Sequence, residues 1–202
     1  MKKNIKTKGG YTLIETMIAV SLFIVIVTIG MGSLLNANML SNKSQKMRSI
    51  MDSMSFTIED MSRSLRTGYN YRCINDGNYS SSLSTPRSCP NGGGGIVFEP
   101  ATGNPLTKDQ WVYKIQSLDN GVTFNISKST DGGTTWIQLN PSEVIINSVS
   151  GFSVLGAESP NVTPPDYQQP FATIRLTGKI IYQNVTTPFS LQTSVSERII
   201  DI

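Results

Sequence analysis

Apolar residues follow two different rhythms in the first third of the chain. From Met17 to Leu35 the run MIAVSLFIVIVTIGMGSLL is apolar almost without interruption, and no charged residue occurs from Thr16 to Asn42. A helix of about 20 apolar residues crosses a bilayer's hydrocarbon, so this run predicts a membrane span within residues 11–35. Further on, Met47, Ile50, Met51, Met54, Ile58, Met61 and Leu65 recur at threes and fours, with Lys46, Asp52, Glu59, Asp60, Arg63 and Arg66 mostly between them. That spacing predicts an amphipathic helix over 36–68 with one buried stripe. Glu59 and Arg63 stand at the separation of an i to i+4 ion pair, and Gly68 is a natural helix stop. Joined, the two segments make one helix from Thr12 to Thr67, about 84 Å long.

The pattern then changes period. Ser80 to Gly95, SSSLSTPRSCPNGGGG, shows no buried periodicity, and residues 69–110 are expected to be the loop between helix and sheet. Alternation starts at Trp111, Tyr113 and Ile115, continues after the turn sequence DNG with Val122, Phe124 and Ile126, and predicts a β-hairpin. A second turn, Asp131 to Gly133, leads into TTWIQL and extends the hairpin to a three-stranded meander. Further strands are expected near Val144–Leu155, Phe171–Tyr182 and Pro188–Val195, making 111–202 an antiparallel β head and the fold α+β. The Pro-rich stretch GAESPNVTPPDYQQP between strands is expected on the surface, as a candidate partner contact or as a spacer.

Composition narrows the chemistry. The 202 residues suffice for one domain with a core plus an appendage, and there is no histidine. That absence removes Ser-His-Asp and Cys-His catalysis and the commonest metal ligand, so no enzyme, cofactor or metal is predicted. The formal charge of +3 belongs to the first eight residues, where Lys2, Lys3, Lys6 and Lys8 are four of 17 basic residues; the remaining 13 face 14 acidic ones. The body therefore lacks the basic balance of a nucleic-acid binder. The two cysteines, Cys73 and Cys89, outside a cytosolic setting read as a disulfide contributing about 3 kcal/mol, with two free thiols as the alternative. The four glycines ending at Gly95 are followed by no Lys-Ser or Lys-Thr and do not read as a phosphate loop. Ser129, Asp131, Gly133, Thr135 and Trp136 match the Asp box that sialidases carry repeatedly; a single copy predicts a rigid turn and not a glycosidase.

One detail separates the apolar run from an ordinary signal peptide or a plain anchor. In KGGYTLIETMIAV, Lys8 to Val20, a lone acid, Glu15, stands at the threshold of the run, where a carboxylate is costly and calls for a partner. Gly10, Tyr11, Thr12, Leu13, Ile14 and Glu15, after a short basic leader and before an apolar helix, resemble the processing signature of type IV prepilins and type II secretion pseudopilins. The resemblance implies cleavage of leader 1–10 by prepilin peptidase between Gly10 and Tyr11, and N-methylation of Tyr11. It implies that Glu15 meets the N-terminal amine of a neighbouring subunit during assembly. It also implies a lollipop-shaped pilin fold that passes once through the inner, cytoplasmic membrane with the head outside. Its partners would be other pilin or pseudopilin subunits and the inner-membrane assembly platform. The order of long helix, loop, many strands and a last strand in FSLQTSVSERIIDI is similar to J-type or W-type minor subunits. Tyr11 stands where Phe is commoner, and Gly30 and Gly32 stand near where these helices usually carry a proline. The alternatives are a binding module or adhesin tethered by the helix, and an anchored hydrolase.

Overall fold

The computed structural model describes residues 9–75, 85–104, 109–117, 123–159, 161, 166–183 and 185–198. Among the described residues one helix, α1 (Leu13–Thr67), is followed by ten strands: β1 (Tyr69–Ile74), β2 (Cys89–Gly93), β3 (Gly95–Glu99), β4 (Trp111–Ser117), β5 (Phe124–Ser129), β6 (Ile137–Gln138), β7 (Val144–Ile146), β8 (Gly151–Leu155), β9 (Phe171–Tyr182) and β10 (Val185–Ser196). The expected α+β class holds. The chain divides into two compact units, Met1–Lys46 and Met47–Ile202.

In the first unit every residue from Gly9 to Asn42 is exposed. The helix passes through Gly30 and Gly32 without interruption, and a Cβ added at either would meet nothing. Hydroxyls within the apolar run are satisfied locally: Thr16 donates to the Leu13 carbonyl, Ser21 to that of Ile18 and Thr28 to that of Ile24. Backbone acceptors one turn back thus let three polar side chains sit in an apolar helix without an unpaired group.

In the second unit the amphipathic stripe does what its period predicts. Ile50, Met54, Met61 and Leu65 are buried, and Met47, Met51 and Ile58 pack against the same core. Glu59 and Arg63 form the expected exposed ion pair at 3.0 Å. Asp60 reaches across to Lys128 on β5 at 3.2 Å, and the Lys128 ammonium also lies 4.2 Å from the Trp111 ring centroid. The helix ends at Gly68, whose N–H donates to the carbonyls of Ser64 and Leu65, and the last turn also accepts from groups beyond the helix. The Tyr71 hydroxyl donates to the Leu65 carbonyl, and the Arg198 N–H to that of Arg66 at 3.1 Å.

Gly68 is the expected helix stop, and it ends the helix without a left-handed backbone. Its φ is not among the positive values, and a Cβ there would run into the Phe98 ring and stand 2.9 Å from the Glu99 carbonyl oxygen. The position needs close approach, not special backbone freedom.

The ten strands form one sheet in the order β1-β3-β4-β5-β7-β9-β8-β2, with β10 on β9 and β6 on β5. Every strand pairing is antiparallel. β9 and β10 pair over their whole length, from Tyr182↔Val185 to Phe171↔Ser196. Period-2 alternation points Ala172, Ile174, Leu176 and Ile180 of β9 inward, beside Phe152 and Val154 of β8 and Phe189 and Val195 of β10. Phe98 gathers the aromatic end of the core, stacked on Tyr113 at 5.8 Å and edge-on to Tyr71 and Trp111.

The β4–β5 hairpin forms in the register Ile115↔Ile126, and β6 extends it to the expected meander; the DNG turn and Val122 lie outside the described residues. The strand expected over Val144–Leu155 is two strands, because a turn at 147–150 sends β7 and β8 to successive stretches of β9. The larger correction concerns 69–110, read as loop, which contains β1, β2 and β3. Glycine carries no side chain with which to show a period, so the run ending at Gly95 is silent in sequence, yet its bareness is what pairing requires. A Cβ at Gly93 would stand 2.5 Å from the Cys73 sulfur and 3.0 Å from the Ile74 carbonyl oxygen. β3 itself is buried along its whole length, and Val97 joins Ile74, Val112 and Trp136 in a small second cluster.

Candidate functional site

The residues that carry the processing resemblance occupy the start of α1. Gly10 and Tyr11 precede the helix and are exposed, Tyr11 at 83%. Thr12 caps it: its carbonyl accepts from the N–H groups of Glu15 and Thr16, and its hydroxyl accepts from the Glu15 N–H at 3.3 Å. Thr-x-x-Glu is the spacing of a capping box, so Glu15 falls at the third helical position, where a carboxylate faces the positive end of the helix dipole. Sequence reasoning missed this local role, although the signal was present in Thr12 and Glu15 themselves. Among the described residues no side-chain partner holds the Glu15 carboxylate. The helix behind it qualifies by length and composition as a membrane span, with a mean hydropathy of 2.5 over its best window and none of that window buried. The first turn thus presents an accessible peptide bond at Gly10–Tyr11, a carboxylate four residues later, and an uncovered apolar surface.

The two cysteines are joined. Cys73 of β1 and Cys89 of β2 form a disulfide with Cα atoms 5.8 Å apart, and both are buried. The bridge belongs to a larger fastening. The Arg87 N–H donates to the Tyr71 carbonyl and the Cys73 N–H to that of Arg87, while the Ser88 N–H donates to Glu158 at 2.8 Å. The Ser88 hydroxyl bonds the second Glu158 oxygen. Burial opposes ionisation of Glu158, but the bonds from Ser88 outweigh it and hold the carboxyl below its ordinary pKa. Part of the expected surface loop is therefore tied inward: Glu158 anchors it and Ala157 is buried. Residues 160 and 162–165 of that loop lie outside the described residues.

The Asp-box match forms a closed turn. Asp131 accepts from the Thr135 hydroxyl at 2.6 Å, the Thr135 N–H at 2.9 Å, the Ser129 hydroxyl at 2.7 Å and the Thr134 N–H at 3.1 Å. These bonds, those from Thr135 foremost, pull its pKa down to about 2. Gly132 and Gly133 take positive φ at the tip, and the Trp136 indole donates to the Gly133 carbonyl. Lys114 lies 3.4 Å over the Trp136 ring, and burial lowers its pKa. A carboxylate so engaged holds the turn closed.

One acid escaped sequence reasoning altogether. Glu99, at the end of β3, is fully buried, and among the described residues neither of its carboxylate oxygens has a hydrogen-bond partner. Burial, and after it the negative charge of Asp109, pushes its pKa up to about 7. No local pattern marks such a residue, because its isolation depends on strands and loops brought over it from elsewhere.

No family model, no curated protein and no solved structure matches this chain. What the described residues define is an α+β protein with one N-terminal apolar helix long enough to cross a membrane, followed by an antiparallel sheet closed by a disulfide.

Proposed function

We propose that the chain is a structural minor subunit of a pilin-like filament, a type IV pilus or type II secretion pseudopilus, of the J-type or W-type. The observation that carries the reading is the lone Glu15 on the first turn of an uncovered apolar helix, four residues after the Gly10–Tyr11 bond. In this reading prepilin peptidase hydrolyses that bond, leader 1–10 is lost, and the freed amine of Tyr11 is N-methylated. The subunit then waits in the inner membrane with lipid covering the exposed residues of the helix, and exchanges lipid for neighbouring helices on entering the filament.

The pairing of Glu15 with a neighbour's Tyr11 amine sets the axial position. An ammonium and a carboxylate are each unfavourable alone in hydrocarbon, and removing one partner of a buried pair costs about 3–5 kcal/mol. That is enough to select the docked register over slipped ones. The capping position supports the role, since a carboxylate at the third helical residue is already held by the helix dipole near the place where the amine must arrive.

The test is Glu15→Val in the full chain. Processing at Gly10 and membrane insertion are expected to continue, while incorporation into sheared filaments, read by immunoblot, is lost. Normal incorporation would overturn the proposal and favour the tethered binding module, for which Glu15 has no task.

A further inference from the structure

The outer face of the sheet carries a cleft where β2 bends over its neighbours. Along β9, Thr173 and Arg175 alternate with the buried Ala172, Ile174 and Leu176, and so face away from the core. Arg175 is flanked in register by Gly151 of β8 on one side and by Gln192 of β10 on the other. The next row is Ser153, Thr173 and Ser194, with the Thr173 and Ser194 hydroxyl oxygens 3.0 Å apart. Directly opposed residues on one face have Cβ atoms about 5 Å apart, so the missing side chain at Gly151 leaves open space beside Arg175.

The rim is made by β2. Its register on β8 shifts between Cys89 and Gly93, and Gly92 takes a φ of 87°, so the strand bends there. A Cβ on Gly151 would stand 2.8 Å from the Gly93 carbonyl oxygen, which brings β2 backbone over the outer side of Gly151. The Ser153 hydroxyl donates to the Pro90 carbonyl at 3.3 Å, and the disulfide holds Cys89 just before it. The result is a cleft of about 230 Å³ with Asn91, Val149, Arg175 and Gln192 around it and no carboxylate among its described lining residues. Among the described residues the Arg175 guanidinium and the side-chain amides of Asn91 and Gln192 have no hydrogen-bond or ion-pair partner.

We propose that this cleft binds a uronic acid, a single sugar ring carrying one carboxylate. A guanidinium meets a carboxylate with two parallel hydrogen bonds, and Arg175 has its donors available for that purpose. A bare carboxylate would need donors only. The amides of Asn91 and Gln192 each bring an acceptor as well as donors, which is the complement of ring hydroxyls that both donate and accept. Val149, 63% exposed at the edge of the cleft, offers an apolar side to the C–H face of the ring. Clefts for drug-sized ligands run to about 300–1,000 Å³, so this smaller one suits one ring. The site is independent of the filament role, since no residue of the first unit takes part in it.

The experiment titrates the full chain in detergent micelles with sodium glucuronate at about pH 7.5, where the sugar carboxylate is ionised, and reads binding by saturation-transfer NMR of the sugar protons. A saturable signal is expected, with a dissociation constant on the order of 1 mM, the affinity open to a ligand of so few atoms. Arg175→Gln should weaken binding at least about tenfold, and Gln192→Ala about threefold. Both side chains are exposed, so neither change disturbs the core, and circular dichroism checks that the fold is intact. Glucose lacks the carboxylate, while acetate and N-acetylglutamate amide lack the hydroxylated ring; each should bind at least about tenfold more weakly than glucuronate. Absence of saturable glucuronate binding, or unchanged binding by Arg175→Gln, would overturn the proposal. Glucose binding as tight as glucuronate would remove the role of Arg175, and equal binding of acetate or the glutamate derivative would assign the cleft to a bare carboxylate; either result overturns the sugar-acid site.

Discussion

Glu15 and Glu99 are acids in opposite settings, and their differences show what single residues reveal. Glu15 is exposed on the first turn of its helix, and its oddity is readable from its neighbours in sequence alone. Glu99 becomes unusual only when β1, β3 and the turn at Gly103 close around it. Its pH dependence has a definite sign. The folded state binds the Glu99 proton more tightly than the unfolded chain, since the pKa rises from 4.5 to about 7. Stability from this group is therefore complete below pH 4.5 and is lost as pH climbs through about 7. The melting temperature is expected to fall from about pH 5 to pH 8, and Glu99→Gln to flatten that slope. A slope equal in both proteins would place the titration elsewhere. Asp131 works in the other direction, its pKa lowered from 3.8 to about 2, so its hydrogen-bonded turn loosens only under stronger acid.

At the scale of elements, α1 was legible throughout and the sheet in part. The threes-and-fours spacing identified Met54 and Met61, both fully buried, and the charge-free run identified the exposed segment before them. Met61→Ala is expected to lower the stability of the second unit by about 2–5 kcal/mol through lost burial and a residual cavity. Leu34→Ala, in the exposed segment, should change it by less than about 0.5 kcal/mol. Urea unfolding followed by the fluorescence of Trp111 and Trp136, both in the second unit, separates the two cases. The hairpin of β4 and β5 was equally legible, because its partners are adjacent in sequence and alternate cleanly. β1 to β3 were not, since β2 is CPNGG, with almost no side chains to alternate, and its partner β8 lies more than fifty residues away. The same distance hid the fastening of Ser88 by Glu158.

At the scale of the molecule, the two units present different surfaces. Residues 9–42 expose an apolar surface, while Met47–Ile202 has its own core built from one helix face and an antiparallel sheet. A chain beginning at Met47 is expected to fold as a soluble protein, with its disulfide intact when made in an oxidising compartment, whereas the full chain should partition into detergent. Failure of the shorter chain to give a cooperative melting transition would show that the core depends on residues before Met47. Local sequence alone determined the helix, its apolar and amphipathic halves, the isolated acid at its start and the first hairpin, because each follows from residues within a few positions of one another. Tertiary structure decided why Gly68 and Gly93 are glycines, how β7 and β8 share β9, and why Glu99 is buried with no hydrogen-bond partner among the described residues. Each of those depends on which distant surfaces come within contact distance, and a side chain's neighbours across a sheet leave no trace in its own periodicity.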